Sequence, residues 1–148
     1  FVGRLESSNP SEVWQGGVFA YYEIDLTMCA MPMLYGRKTA VSGMKLTVNG
    51  NCRVFPTFTA TLKAERKLKI SRADGAFIEV DAERSFAAGA TAVIETSPTK
   101  SRGVYIDDVL TCPTITSDFF DLPVGDSTIT VVGASSITTS FEPLWLIP

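Results

Sequence analysis

The chain has 148 residues, 45% apolar and 20% charged, with a net charge of −3, enough for one compact domain that buries roughly 70% of its extended surface. It holds no histidine, which excludes Ser-His-Asp and Cys-His nucleophilic sites and most catalytic zinc sites, because each needs an imidazole. Acids and bases are interspersed, so no Lys/Arg stripe points to nucleic acid, and no stretch reaches the roughly 20 apolar residues of a membrane helix.

Apolar residues alternate with polar ones in short runs, the mark of half-buried strands, and helical periodicity is weak throughout. The start, Phe1-Val2-Gly3-Arg4-Leu5, leads into a polar segment and has no signal-peptide pattern. Without an initiator Met, the chain is expected to be part of something longer. Arg4 to Gly17 carries Asn9-Pro10, Trp14 and Gly16-Gly17. It reads as irregular, so residues 1–17 are expected to be a linker or extended arm. Residues 18–43 are expected to hold a connecting strand, with Tyr22, Ile24 and Leu26 on one face, and then a long loop. That loop contains Met31, Met33, Leu34 and Tyr35 around Pro32 and Gly36. An apolar loop of this kind lies either on another surface or under the main core.

Residues 44–148 read as the main β domain. Met44, Leu46 and Val48 alternate up to Asn49-Gly50, a turn pair that tolerates positive φ. Phe58, Ala60 and Leu62 form one face of the next strand. Leu68 and Ile70 follow, in a Lys63–Lys69 stretch whose charges suit the wet side of a strand. Asp74-Gly75 predicts a hairpin into Phe77, Ile78 and Val80. Further strands are expected at Thr91–Glu95 and Val104–Ile106, separated by a Pro-containing turn at Ser97–Ser101. Phe119, Phe120 and Leu122 are large groups just before a Pro123–Gly125 reversal, so they should plug one end of the core. Ser127–Val132 and Ile137–Phe141 are expected to close the fold as a hairpin around Gly133. About nine strands at spacings near ten residues predict an all-β fold, an antiparallel β-sandwich or barrel.

Cys29, Cys52 and Cys112 are odd in number and widely spaced, and no CxxC pair exists. They read as buried free thiols in a protein folded in a reducing cytoplasm, not as a disulfide framework or a zinc site. No phosphate-binding glycine loop is present. Glu79, Asp81, Asp107 and Asp108 are the carboxylates a glycosidase would need, but a few acids among many are what chance supplies. The expectation is therefore no enzyme, no cofactor and no metal.

The run Asn49-Gly50-Asn51-Cys52-Arg53-Val54-Phe55-Pro56-Thr57-Phe58, the strand pair Leu68–Val80, and Ala88-Gly89 through Thr96 keep an order that resembles the siphovirus tail component family of phage distal tail proteins. The most specific piece is Asp118-Phe119-Phe120-Asp121-Leu122-Pro123-Val124-Gly125-Asp126 with the following strand. Asp126 stands where that family usually has Asn; both satisfy a turn by a short side-chain hydrogen bond. The Pro143-x-Trp145-Leu146 tail is also similar, as is Tyr21 to Tyr35 to the family's linker strand.

The resemblance implies a galectin-like, jelly-roll-type sandwich and a structural role. The implied protein is a homo-oligomer forming a hexameric ring that joins the tail tube protein to tail-tip or receptor-binding proteins. It would be assembled in the bacterial host cytoplasm and reside in the virion tail, with no nucleic acid bound and no membrane insertion. The alternative is a carbohydrate-binding module contacting host-surface glycans. The galectin sugar motif is absent, since Asn9-Pro10 is followed by Ser11 and histidine is missing. Trp14, Tyr35 and Trp145 are the expected interface or glycan contacts. Asn49, Gly50, Asp74, Gly75, Phe119, Phe120, Pro123 and Gly125 are the expected turn and core residues.

Overall fold

The computed structural model describes residues 3–15, 17–30 and 33–146, and for 3–15 and 18–30 the backbone alone. Two compact units emerge: Phe1–Leu34 with Leu146–Pro148, and Tyr35–Trp145. Fourteen strands and no helix occur among the described residues.

In the first unit, β1 (Gly3–Gln15) and β2 (Val18–Ala30) pair antiparallel, from Gly3↔Ala30 to Gln15↔Val18, around Gly17. Arg4–Gly17, read from sequence as irregular, is therefore mostly strand. Its Ser7-Ser8-Asn9-Pro10-Ser11 centre has no apolar alternation to reveal it. Pro10 is tolerated because each strand of a two-stranded ribbon has one unpaired edge, where a missing N–H costs nothing.

The short strands β3 (Met33–Tyr35) and β14 (Leu144–Leu146) each span, in sequence, a division between the two units. Between them lie β4 (Thr39–Ser42), β5 (Lys45–Val48), β6 (Thr57–Leu62), β7 (Lys67–Arg72), β8 (Phe77–Asp81), β9 (Thr91–Glu95), β10 (Gly103–Ile106), β11 (Val109–Thr111), β12 (Gly125–Val132) and β13 (Ala134–Phe141). They form a six-stranded sheet, β11-β10-β9-β6-β13-β4, and a four-stranded sheet, β5-β12-β7-β8. Every pair in both is antiparallel. All nine strands expected from sequence are present. The five additions are β1, β3, β4, β11 and β14, most of them too short for alternation to register.

Alternate residues of both sheets meet in one core. Leu68, Ile70, Ile78, Val80 and Ile129 come from the four-stranded side, and Phe58, Ala60, Leu62, Ala92 and Ile94 from the six-stranded side. Each fully buried Leu, Ile or Phe contributes about 1.5–3 kcal/mol relative to exposure. The fold is an all-β antiparallel sandwich, as expected.

Two connections differ from the sequence reading. β12 and β13 do not form a hairpin: β12 pairs with β5 and β7, while β13 pairs with β4 and β6 in the other sheet. Period-2 alternation fits a strand in either sheet, so the pattern cannot distinguish a hairpin from a crossing between sheets. The corner itself decides. Gly133 has φ 83°, and a Cβ there would lie 1.8 Å from the Lys67 carbonyl oxygen. The chain thus turns hard against β7 and passes across. Asn49-Gly50 likewise carries the chain from one sheet to the other, with Gly50 at φ 121° and packed on the Leu144 backbone. Asp74-Gly75 does close a hairpin, with Gly75 N–H on Arg72 O at 3.0 Å and Arg72 N–H on Ala76 O at 2.8 Å.

The outer edge of β8 is covered by the chain itself. Thr114 N–H donates to Glu79 O at 2.8 Å and Asp118 N–H to Phe77 O at 2.8 Å. Glu79 N–H donates to Ser117 Oγ at 2.9 Å. An edge satisfied this way cannot recruit another strand.

Candidate functional site

Four of the turn and core residues singled out in the sequence, Asp74, Gly75, Phe120 and Pro123, lie around Arg72. This residue ends β7, immediately before the Asp74-Gly75 turn. Its Nε donates to Asp74 Oδ1 at 2.9 Å, and its Nη2 donates to Asp74 Oδ2. Its Nη1 donates to the Asp121 carbonyl and, at 3.2 Å, to Asp121 Oδ1. Arg53 Nη1 donates to Asp121 Oδ2 at 3.0 Å from the opposite side. One planar guanidinium therefore ties the β7–β8 turn to the segment after Phe120, a geometry that suits arginine and not lysine. The Arg72 guanidinium holds the Asp74 carboxyl down at about 2, and Asp74 in turn raises Arg72.

Beneath this clamp lies the aromatic plug. Phe120 is buried and packs on Phe58 with ring centroids 5.6 Å apart, and Arg72 sits over its ring. Phe119 is half-buried against the core with Arg102 near its face. Leu122 is fully buried and bridges Val54 through a reciprocal pair of backbone hydrogen bonds. Pro123 is exposed, and Gly125 takes φ 94° as β12 begins. The structure thus brings Asp74, Phe120 and Pro123 together around Arg72, whereas Phe119 faces Arg102, Gly125 pairs with Val48 and Gly50 packs on the Leu144 backbone. An open depression of about 540 Å³ is lined by Asn51, Cys52, Arg53, Arg72, Asp121, Pro123 and Val124.

Sequence reasoning missed Arg72, Asp121 and Arg53. Arg72 and Asp121 are 49 positions apart, and no local signal pairs them. The position of Arg72 two residues before the turn Asp was the sole available hint.

Tyr35 is exposed, and Trp145 is 37% exposed with its ring lying on Gly36. The Trp14 side chain lies outside the described residues; its backbone pairs with Phe19. Of the three cysteines, Cys52 and Cys112 are free thiols, but neither is buried as expected: Cys52 is half-buried and Cys112 is exposed in the segment after β11, and the Cys29 side chain lies outside the described residues. The four carboxylates named above are not one site. Glu79 sits between Lys67 at 2.9 Å and Lys69 at 3.3 Å on the four-stranded sheet, which lowers its pKa. Asp107 and Asp108 make the β10–β11 turn at φ 47° and 64°, and Asp107 accepts the Thr91 N–H.

No curated protein matches the chain in sequence. Among solved structures it is similar to the Dit protein of phage SPP1, described as a paradigm of the hub adsorption apparatus in phages infecting Gram-positive bacteria. The TM-score is 0.65 at 16% identity, over 97% of this chain and 59% of that one. That likeness is one of fold, and the chain spans well under two-thirds of the protein it resembles. The model of the siphovirus-type tail component, C-terminal domain, matches residues 49–145, which takes in the plug, the Arg72 clamp and every strand from β6 to β13. On that match, the chain belongs to the siphovirus-type tail component family.

Proposed function

We propose that the chain is a structural piece of a phage distal tail protein, in the hub that joins the tail tube to the tip and receptor-binding apparatus. The observation that carries this reading is the family match over residues 49–145, nearly the whole sandwich. In this reading the sandwich is galectin-like and projects from a homohexameric ring assembled in the host cytoplasm. The arm at 1–17 and the connection at 18–43 link it to that ring, and Trp14, Tyr35 and Trp145 serve as interface contacts. Catalysis has no part in it. A glycosidase acid needs a raised carboxyl pKa, whereas Glu79 is pulled the other way by two lysines.

The full-length protein that contains this chain should form a ring, visible by native mass measurement and electron microscopy, and should be present in purified tails. A protein that stays monomeric at high concentration and is missing from tails would overturn the proposal.

A further inference from the structure

The two sandwich sheets present opposite kinds of outer face. On the four-stranded sheet, outward positions include Lys45, Asp126, Lys67, Lys69, Glu79 and Asp81. The outward positions of the six-stranded sheet carry almost no charge. One row crosses all six strands, Leu110–Tyr105–Val93–Thr59–Thr138–Ser42, each residue in register with the next. The row beside it runs Gly103–Glu95–Thr57–Ser140–Ala40. A third joins Thr91, Thr61 and Ser136. Glu95 is the one ionic side chain among them. It is fixed by the Thr57 hydroxyl at 3.0 Å and the Ser97 N–H at 3.0 Å, with Lys100 at 3.8 Å.

We propose that this face binds a neutral glycan chain lying along the Leu110–Ser42 row. Several observations select that occupant. Neighbouring hydroxyls already align with one another, Ser42 with Thr138 at 3.3 Å and Ser136 with Thr61 at 3.0 Å. Hydroxyls both donate and accept, so they match the hydroxyls of a sugar without desolvating a charge. None of the strand positions in the three rows carries a cation, and Lys100, in the loop beside them, is already paired with Glu95 at 3.8 Å, so a phosphate-bearing or acidic polymer finds little net positive charge there. Tyr105 supplies an aromatic ring at one end, held by its hydroxyl on Ser101 O at 3.1 Å. The strip is about 24 Å across and about 14 Å along the strands, roughly 330 Å² from strand spacing and rise. A standard protein interface takes about 800 Å² per partner and is anchored centrally by Trp, Tyr or Arg. Here the centre is Thr59 and Thr138. A second copy or another protein is therefore a poor fit. The site is distinct from the Trp14 and Trp145 contacts expected from sequence, and it does not depend on the tail-hub reading.

The test titrates the chain with neutral oligosaccharides (malto-, xylo- and manno-hexaose) and with polygalacturonate, by heteronuclear NMR. A neutral hexaose should shift resonances of Thr59, Val93 and Thr138. Thr59→Lys should weaken binding about tenfold or more, while Thr130→Lys, the same change on the four-stranded face, should leave it within about twofold. Both positions are exposed, and circular dichroism verifies that each variant folds. The proposal fails if no neutral hexaose binds at millimolar concentration, if polygalacturonate alone binds, or if Thr59→Lys changes nothing. It also fails if the chain self-associates through this face, with Thr59→Lys dispersing it.

Discussion

Thr139 and Thr96 are both fully buried, yet their hydroxyls meet different fates. Thr139 lies on β13 in register with Phe58 and Val41, and its Oγ1 has no hydrogen-bond partner. Thr96 donates its hydroxyl to the Pro56 carbonyl at 2.7 Å. A buried hydroxyl without a partner costs about 1–3 kcal/mol, whereas a satisfied one contributes about 0.5–1.5 kcal/mol. Valine keeps the β-branched shape in each case and removes only the polar atom. Thr139→Val should therefore stabilise by about 1–2 kcal/mol, since part of the gain is lost to imperfect repacking. For a chain of this size that raises Tm by roughly 2–8 °C. Thr96→Val should lose about 1 kcal/mol; the Pro56 carbonyl keeps the Thr96 N–H at 3.3 Å and is not orphaned. Urea unfolding followed by tryptophan fluorescence reads both, and an unchanged m-value licenses the comparison. If Thr139→Val destabilises, or if the two variants move in the same direction, the assignment of Thr139 as an unpaired hydroxyl is wrong.

Phe120→Ala removes the ring packed on Phe58 and should cost about 3–5 kcal/mol in the same unfolding assay; a loss below about 1 kcal/mol would mean the plug is not part of the core. Gly133→Ala, where a Cβ meets the Lys67 carbonyl, should abolish soluble expression. Gly89→Ala, at φ 87° in open space, should cost only about 1–2 kcal/mol; equal effects would refute the crossing at Gly133. Asp74, with its carboxyl held at about 2 against an ordinary 3.8, contributes stability that is present above the unfolded value and lost as pH falls through about 2. Asp74→Asn should therefore flatten the stability profile between those two values while leaving its shape near neutral pH unchanged, as acid titration of unfolding would show.

Strands with apolar side chains at every second position were legible because their burial follows alternation alone. Lys45–Val48, Thr57–Leu62, Lys67–Arg72 and Phe77–Asp81 each bury every second residue. The Asp74-Gly75 turn was legible because its chemistry is local. β1 was not, since a hairpin held by backbone pairing leaves no apolar period in Ser7-Ser8-Asn9-Pro10-Ser11. The sheet to which β13 belongs was not legible either. Alternation reports which side of a strand is buried and says nothing of its neighbour, so the Gly133 crossing looked like a hairpin turn.

The same limit separates the plug and its clamp from the hydroxyl face. The aromatic plug announces itself as adjacent residues, Phe119, Phe120 and Leu122, but its clamp joins positions 49 apart and could not be found locally. The hydroxyl face is more dispersed still. Ser42, Thr59, Val93, Tyr105, Leu110 and Thr138 come from six strands and form one row only through register. Composition alone marks Thr and Ser as ordinary strand residues, since β-branched threonine suits a pleated surface wherever it faces water. What the register adds is the absence of lysine and arginine from the outward strand positions in the rows of one sheet, where Lys100 reaches in only from a loop to pair with Glu95, while Lys45, Lys67 and Lys69 crowd the other. If the asymmetry reflected only strand propensity, charge would be spread over both faces, and placing one lysine at Thr59 would matter no more than placing one at Thr130.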